Sequence, residues 1–211
     1  METISLETRD GVQIVADFVE SGKTGVLLVH MMPANRKSWI PFSQKLNEKE
    51  YTTLAIDLRG HGESEGGPLG YKNFSEDEHQ ASLADLEAGA DFLKSKAIEK
   101  LILVGASIGA NLSLIYLADH SEARAAVLLS PGLNYRGVKT EEPASKVKSD
   151  QAVFFVASQD DHDAVPMAER LYTVTGGKKN IKIFMDAGHG TTIFEKNPEF
   201  IDEVIHWIEQ V

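Results

Sequence analysis

The 211-residue chain contains no cysteine. That absence excludes a disulfide framework, a thiolate zinc site and a cysteine nucleophile, while leaving the redox compartment open. Positive charge is scarce: 21 Lys and Arg stand against 32 Asp and Glu, a formal charge of −11. The clustered cations that bind phosphate backbones or anionic lipid surfaces are therefore missing, and neither nucleic acid nor a membrane is an expected partner. No stretch approaches the ~18 apolar residues of a membrane span. The first ten residues carry Glu2, Glu7, Arg9 and Asp10 with no apolar signal segment, so the reading is of a cytoplasmic protein. Internal repeats, low-complexity tracts and Gly/Ser linkers are lacking too. A length of 211 residues with 42% hydrophobic content fits one domain, residues 1–211.

What is there begins with two alternating segments, residues 4–6 and 12–19, joined at Asp10-Gly11, a hairpin turn signal. Short continuous apolar runs follow at 26–29, 53–56, 101–104, 126–129, 153–157 and 181–185, alternating with segments of helical period. Such runs suit strands buried on both faces of a parallel sheet. Ser75-Glu76-Asp77-Glu78 forms a capping box ahead of Leu83, Leu86, Ala90 and Leu93, which share one helical face. Asn197-Pro198 reads as N-cap and first residue of a last helix striped with Phe200, Ile201, Val204, Ile205 and Ile208. Residues 132–150 are a polar excursion with room for one short helix, too short for a large lid.

Gly105-Ala106-Ser107-Ile108-Gly109 lies between a strand-like run and a helix-like one. A serine raised on a sharp strand-to-helix turn requires small residues two places before and after it, and Ser107 has glycine at both. The bland alternative is a glycine-rich turn without chemistry. A serine hydroxyl is a weak nucleophile at neutral pH, needing an imidazole to take its proton and a carboxylate to orient that imidazole. Both residue types follow later strands: Ser158-Gln159-Asp160-Asp161-His162-Asp163 after one, and Asp186-Ala187-Gly188-His189-Gly190 after the next. Loops at the carboxyl ends of parallel strands converge on one crevice, so groups from three strands can meet.

The order Ser, Asp, His, each at a strand end, resembles the α/β-hydrolase fold. Val29-His30-Met31-Met32-Pro33 is similar to that family's His-Gly oxyanion turn, and Asp57-Leu58-Arg59-Gly60-His61-Gly62-Glu63-Ser64 matches its Asp-x-Arg-Gly-His-Gly-x-Ser loop. The resemblance spans the whole chain. It implies a mostly parallel sheet of about eight strands with helices on both faces, no large lid and no cofactor. It also implies a serine hydrolase of small carboxylic esters, like the compact esterase and dienelactone-hydrolase branches, although the latter's cysteine is absent. By position in the resemblance, Ser107 is the nucleophile, His189 the base and Asp161 the acid, with Asp160 and Asp163 as alternates. The backbone N–H groups of Met32 and Ile108 would form the oxyanion hole, and Met31 stands where the family has glycine.

Met31, Met32, Trp39, Phe42, Leu133 and Tyr135 are candidate pocket walls, foremost Met31, Trp39 and Tyr135. His61 is expected to support backbone, and His79, His120 and His206 to lie on the surface or in a helix. The acidic run 160–163 also permits a metal reading, but a cation wants ligands from several elements, so no metal is expected. Thioester, lactone or short-peptide hydrolysis would use the same triad, and a non-catalytic binding protein could keep the fold. Oligomeric state is not legible.

Overall fold

The computed structural model describes residues 1–211. Its organising element is an eight-stranded sheet in the order β1-β2-β4-β3-β5-β6-β9-β10, which is parallel from β4 to β10. The strands are β1 (Glu2–Glu7), β2 (Gln13–Val19), β3 (Thr24–Val29), β4 (Tyr51–Ile56), β5 (Lys100–Ala106), β6 (Ala123–Leu129), β9 (Ala152–Ser158) and β10 (Lys178–Phe184). β1 and β2 are the antiparallel start, paired Leu6 to Ile14 and Ile4 to Ala16. A two-stranded ribbon of β7 (Asn134–Tyr135) and β8 (Val138–Lys139) stands apart from the sheet.

The apolar runs are continuous because successive side chains serve different cores. Leu27, Val29, Leu101 and Leu103 enter one core, while Val26, Leu28, Ile102 and Val104 enter the other. The first core is covered by α3 (Leu83–Ser95), α4 (Ile108–Asp119) and α6 (Ala164–Val174), the second by α1 (Ile40–Glu48), α7 (Thr192–Lys196) and α8 (Phe200–Glu209). α4 lies at the centre of its layer and is apolar nearly all round, as a helix must be when it packs on the sheet, α3 and α5 (Glu141–Lys146) together. In α8, Phe200, Ile201, Val204, Ile205 and Ile208 are each at most 5% exposed. At roughly 1.5–3 kcal/mol per buried large apolar side chain, that stripe fixes the chain's last helix to the sheet.

Two boundaries depart from the sequence reading. The Ser75 capping box is formed, with Ser75 and Glu78 bonding reciprocally, but it opens only the short α2 (Glu76–Ala81); the chain resets at Ser82 before α3 begins. No Gly or Pro between the cap and Leu83 marks that break. Asn197 does not cap α8: its side-chain amide donates to the Ile193 carbonyl at 3.2 Å, closing α7, and α8 begins at Phe200. No helix is long and apolar enough to cross a membrane, and no large lid domain is inserted.

Candidate active site

β5 sits between β3 and β6, so whatever leaves its carboxyl end is flanked by the loops of its neighbours. Ser107 makes that exit at φ 54° and ψ −119°, a conformation an L-residue holds at a cost of about 1–3 kcal/mol. The surroundings over-determine it. Ser107 N–H donates to the Leu129 carbonyl at 2.8 Å, and its own carbonyl accepts from Ala110 and Asn111 at the start of α4. A Cβ on Gly105 would come 2.3 Å from the Gly109 carbonyl oxygen, and one on Gly109 would come 2.3 Å from the Val29 carbonyl oxygen. The glycines of this turn are therefore required by close backbone approach, as the sequence pattern suggests. Ser107 is 7% exposed.

β9 and β10 pair in register with Ser158 opposite Phe184, so their following loops leave side by side. Across that gap Asp161 Oδ2 meets His189 Nδ1 at 2.7 Å. Of the three aspartates in the run, Asp161 is the one that faces the imidazole. Asp160 turns the other way and holds the histidine's loop: it accepts from the Gly188 N–H at 3.0 Å, from the Ala187 N–H at 3.2 Å and from the Ser158 hydroxyl, and it pairs with Lys196. These donors keep its carboxyl well below the usual carboxylate range, the Ser158 hydroxyl contributing most. Asp163 precedes α6 and its side chain makes no cap bond. With its members engaged separately, the run forms no metal-holding group.

His189 is fixed from its other flank as well. Gly190 N–H donates at 3.0 Å to the hydroxyl of Ser130, a buried residue at the end of β6 held at φ 51°. Tyr135 faces the same imidazole edge to face, with ring centroids 6.4 Å apart, and its hydroxyl donates to the Ser130 carbonyl at 3.3 Å. Burial pushes the Tyr135 phenol up to about 12, helped by the Asp161 charge and opposed by the neighbouring Ser107 hydroxyl. Tyr135 is thus a neutral hydroxyl beside the serine at pH 7. The ribbon that carries it is rooted by Asn111 of α4, four residues after Ser107. Asn111 accepts from Gly132 N–H at 2.9 Å and donates to the Val138 carbonyl at 2.8 Å, and Thr140 Oγ1 donates to the Gly132 carbonyl at 2.7 Å.

After β3, His30 is fully buried. Its Nε2 accepts the Leu58 N–H at 3.0 Å, so Nδ1 carries the proton and donates to the Met31 carbonyl at 2.9 Å. Burial, and then the adjacent His61, push the His30 imidazole down to about 4. The neutral ring thereby fixes the turn that presents Met32, whose N–H finds no acceptor within the chain. Ile108, first residue of α4, has an N–H with no intrahelical acceptor. Met31 lies with its sulfur against Gly190, next to His189.

The loop after β4 is scaffold. The buried Asp57 carboxylate accepts the Arg36 N–H at 2.7 Å and the Glu63 N–H at 2.8 Å and pairs with the Arg36 guanidinium, which also reaches Asp17 and Glu63. Gly62, at φ +52°, passes so close that a Cβ there would sit 2.0 Å from Asp57 Oδ2. Arg59 binds Asp10 through two nitrogens and Asp85 through Nε at 2.9 Å. His61 Nδ1 bonds the Arg59 carbonyl at 3.0 Å, a supporting part.

Some expected positions are corrected. Trp39 is not a pocket wall: it is fully buried in the second core against Phe42 and Phe194, and Phe42 is buried with it. The short 3-10 turn at Arg36–Trp39 leads directly into α1, whose Phe42 packs beside the indole. Leu133 packs on the first core. His79 is not a surface residue but 4% exposed, because α2 lays it against Phe74. Ser130 and Asn111 were not singled out by sequence, and Asp160, an alternate for the acid, holds the 187–188 loop instead; these roles depend on partners 21 to 60 residues distant.

Comparison with known proteins agrees with this architecture. The alpha/beta hydrolase fold family matches residues 25–164. The esterase Pf2001 of Pyrococcus furiosus superposes with a TM-score of 0.81 at 18% identity, covering 99% of this chain and 89% of its own. An esterase from Exiguobacterium antarcticum gives 0.79 at 16%, covering 97% and 98%. In sequence, the uncharacterized protein YfhR of Salmonella typhimurium is 26% identical over 161 residues, 66% of this chain and 52% of that one. The chain thus spans about half the length of the curated relatives it matches first. At these identities the structural likeness speaks for the fold, whereas the family match covers most of the sequence: the chain belongs to the alpha/beta hydrolase fold family.

Proposed function

We propose that the protein is a serine hydrolase of small carboxylic esters. Ser107 Oγ attacks the ester carbonyl; His189 takes its proton and passes it to the departing alkoxide; Asp161 holds the imidazole with Nδ1 protonated and stabilises the imidazolium. The Met32 and Ile108 N–H groups stabilise the negative oxygen of the tetrahedral intermediate. Water, activated by His189, then attacks the acyl-enzyme and regenerates Ser107. The observation that carries this reading is the 2.7 Å Asp161–His189 contact, made by two strand-end loops on the same edge of the sheet as the strained Ser107 turn. Esters are favoured over thioesters, lactones or peptides because the structural neighbours described above are esterases.

The test is covalent labelling with a fluorophosphonate together with turnover of a series of 4-nitrophenyl esters. The wild-type protein labels and turns over; Ser107→Ala does neither while remaining folded by circular dichroism. Undiminished labelling of Ser107→Ala, or a folded wild-type protein inert to both reagents, refutes the assignment.

A further inference from the structure

Beside the oxyanion turn lies a cavity of about 410 Å³. Its walls include Met32, Tyr71, Lys72, Phe74, His79 and Arg136. Two of these adjoin the proposed site: Met32 carries one of the two N–H groups assigned above to the oxyanion hole, and Arg136 follows Tyr135, one Cα step of about 3.8 Å along the ribbon. The lining has a definite charge. In a chain of formal charge −11, this wall contains no carboxylate and two cations, and neither Lys72 nor Arg136 forms an ion pair with any Asp or Glu of the chain. The nearby Glu78 is occupied by the Ser75 cap. Arg136 is presented by design of the backbone: it sits at φ 52° at the ribbon tip, held by Gly137 N–H donating to Asn134 Oδ1 at 2.8 Å.

A third side chain adds a hydrogen-bonding group to this wall. His79 is 4% exposed, lines this cavity, and neither ring nitrogen has a hydrogen-bond partner. Its ring nitrogens are thus free to bond a group that enters the cavity. The apolar walls Tyr71 and Phe74 would take a short hydrocarbon segment, and the polar end beyond them offers two cationic donors and an imidazole.

We propose that this cavity selects esters that bear a second, free carboxylate, such as half-esters of short dicarboxylic acids, with Lys72 and Arg136 binding the carboxylate and His79 completing its hydrogen bonds. The proposal rests on the hydrolase reading of Ser107 and names the substrate class of that same site. Lys72 and Arg136 are specificity determinants, remote from the bond that breaks.

The experiment compares mono-4-nitrophenyl glutarate with neutral 4-nitrophenyl butyrate on wild type, Lys72→Ala, Arg136→Ala and the double variant; both positions are exposed, so folding is preserved. The double variant is expected to lose about tenfold in kcat/KM on the half-ester at low ionic strength, mainly through KM, and to stay within about twofold on the neutral ester. Added salt at about 0.5 M should erase most of the wild-type preference. Equal responses of the two esters overturn the proposal, as does a half-ester rate indifferent to both cations. Direct binding separates this outcome from failure of the hydrolase reading. With isotope-labelled histidine, glutarate should shift the His79 ring resonances in wild type and not in the double variant, and glutaramide should not shift them. Charge-dependent glutarate binding without any ester turnover would sink the hydrolase reading and leave the carboxylate site standing. Turnover of the neutral ester with no glutarate response would do the reverse.

Discussion

Asp160 and Asp161 are chain neighbours with opposite assignments, and exchanging each for asparagine separates them. Asp161 faces the imidazole at 2.7 Å. A unit pair about 4 Å apart near a protein surface interacts with about 4 kcal/mol, the scale of the imidazolium stabilisation lost when the carboxylate is neutralised. Asparagine does further harm, because its amide can donate to Nδ1 and leave the proton on Nε2, where it blocks uptake of the serine proton. Together these effects predict a fall in kcat of about three to four orders of magnitude for Asp161→Asn. Thermal stability should barely change, since Asp161 has no other side-chain partner. Asp160→Asn keeps an acceptor for the Gly188 and Ala187 N–H groups but loses the charge that these donors and Lys196 complement. It should lower the melting midpoint and reduce kcat by no more than about tenfold, consistent with an effect transmitted through loop position. Paired measurements of 4-nitrophenyl ester kinetics and melting by circular dichroism decide the matter. If Asp160→Asn is the inactive variant while Asp161→Asn retains more than about a tenth of wild-type kcat, the roles derived from the geometry are wrong.

Trp39→Ala should destabilise by about 3–5 kcal/mol in urea titrations while leaving acyl-chain preference unchanged, because the indole fills core and not substrate space. Trp39→Phe should cost less, since it also removes a buried Nε1–H that has no partner. The neutral His30 gives an acid-side dependence. Its folded value of about 4 lies below the ordinary 6.5, so the unfolded chain takes up the proton first; stability is full above about pH 6.5 and falls toward pH 4 by roughly 3 kcal/mol. Urea unfolding from pH 7 to 4.5 measures the slope, His30→Asn should flatten it, and a His30 resonance titrating near 6.5 in the folded protein would contradict the burial argument.

The layered sheet was readable because a strand covered on both faces needs no alternation: 101–104 and 153–157 are uninterrupted for that reason, and they emerge as β5 and β9. The Ser107 turn was readable because its constraint is local, two glycines within four residues that only close backbone approach demands. The Asp161–His189 pairing was partly readable: chain order and strand-end placement narrow the acid to three aspartates, but which one faces the ring depends on how the loop after Ser158 turns. Trp39 was misplaced because a large aromatic after a loop has no sequence sign telling core side from cleft side. The break at Ser82 was hidden since no Gly or Pro stands between the Ser75 cap and the stripe that begins at Leu83. Asn111 was invisible because its partners lie at Gly132 and Val138, on a ribbon whose strands are two residues each and carry no periodicity.

That Asn111 tether has a consequence for how such a protein diversifies. The ribbon is rooted at its base by a side chain from the helix that starts just after Ser107, with Val138 buried in the first core and the Tyr135 hydroxyl on the Ser130 carbonyl, while Arg136 at the tip is exposed. Loop length and tip chemistry can then be exchanged by evolution or by grafting, with the attachment, and so the alignment to Ser107, carried over intact. New selectivity can be acquired at the tip without renegotiating the fold.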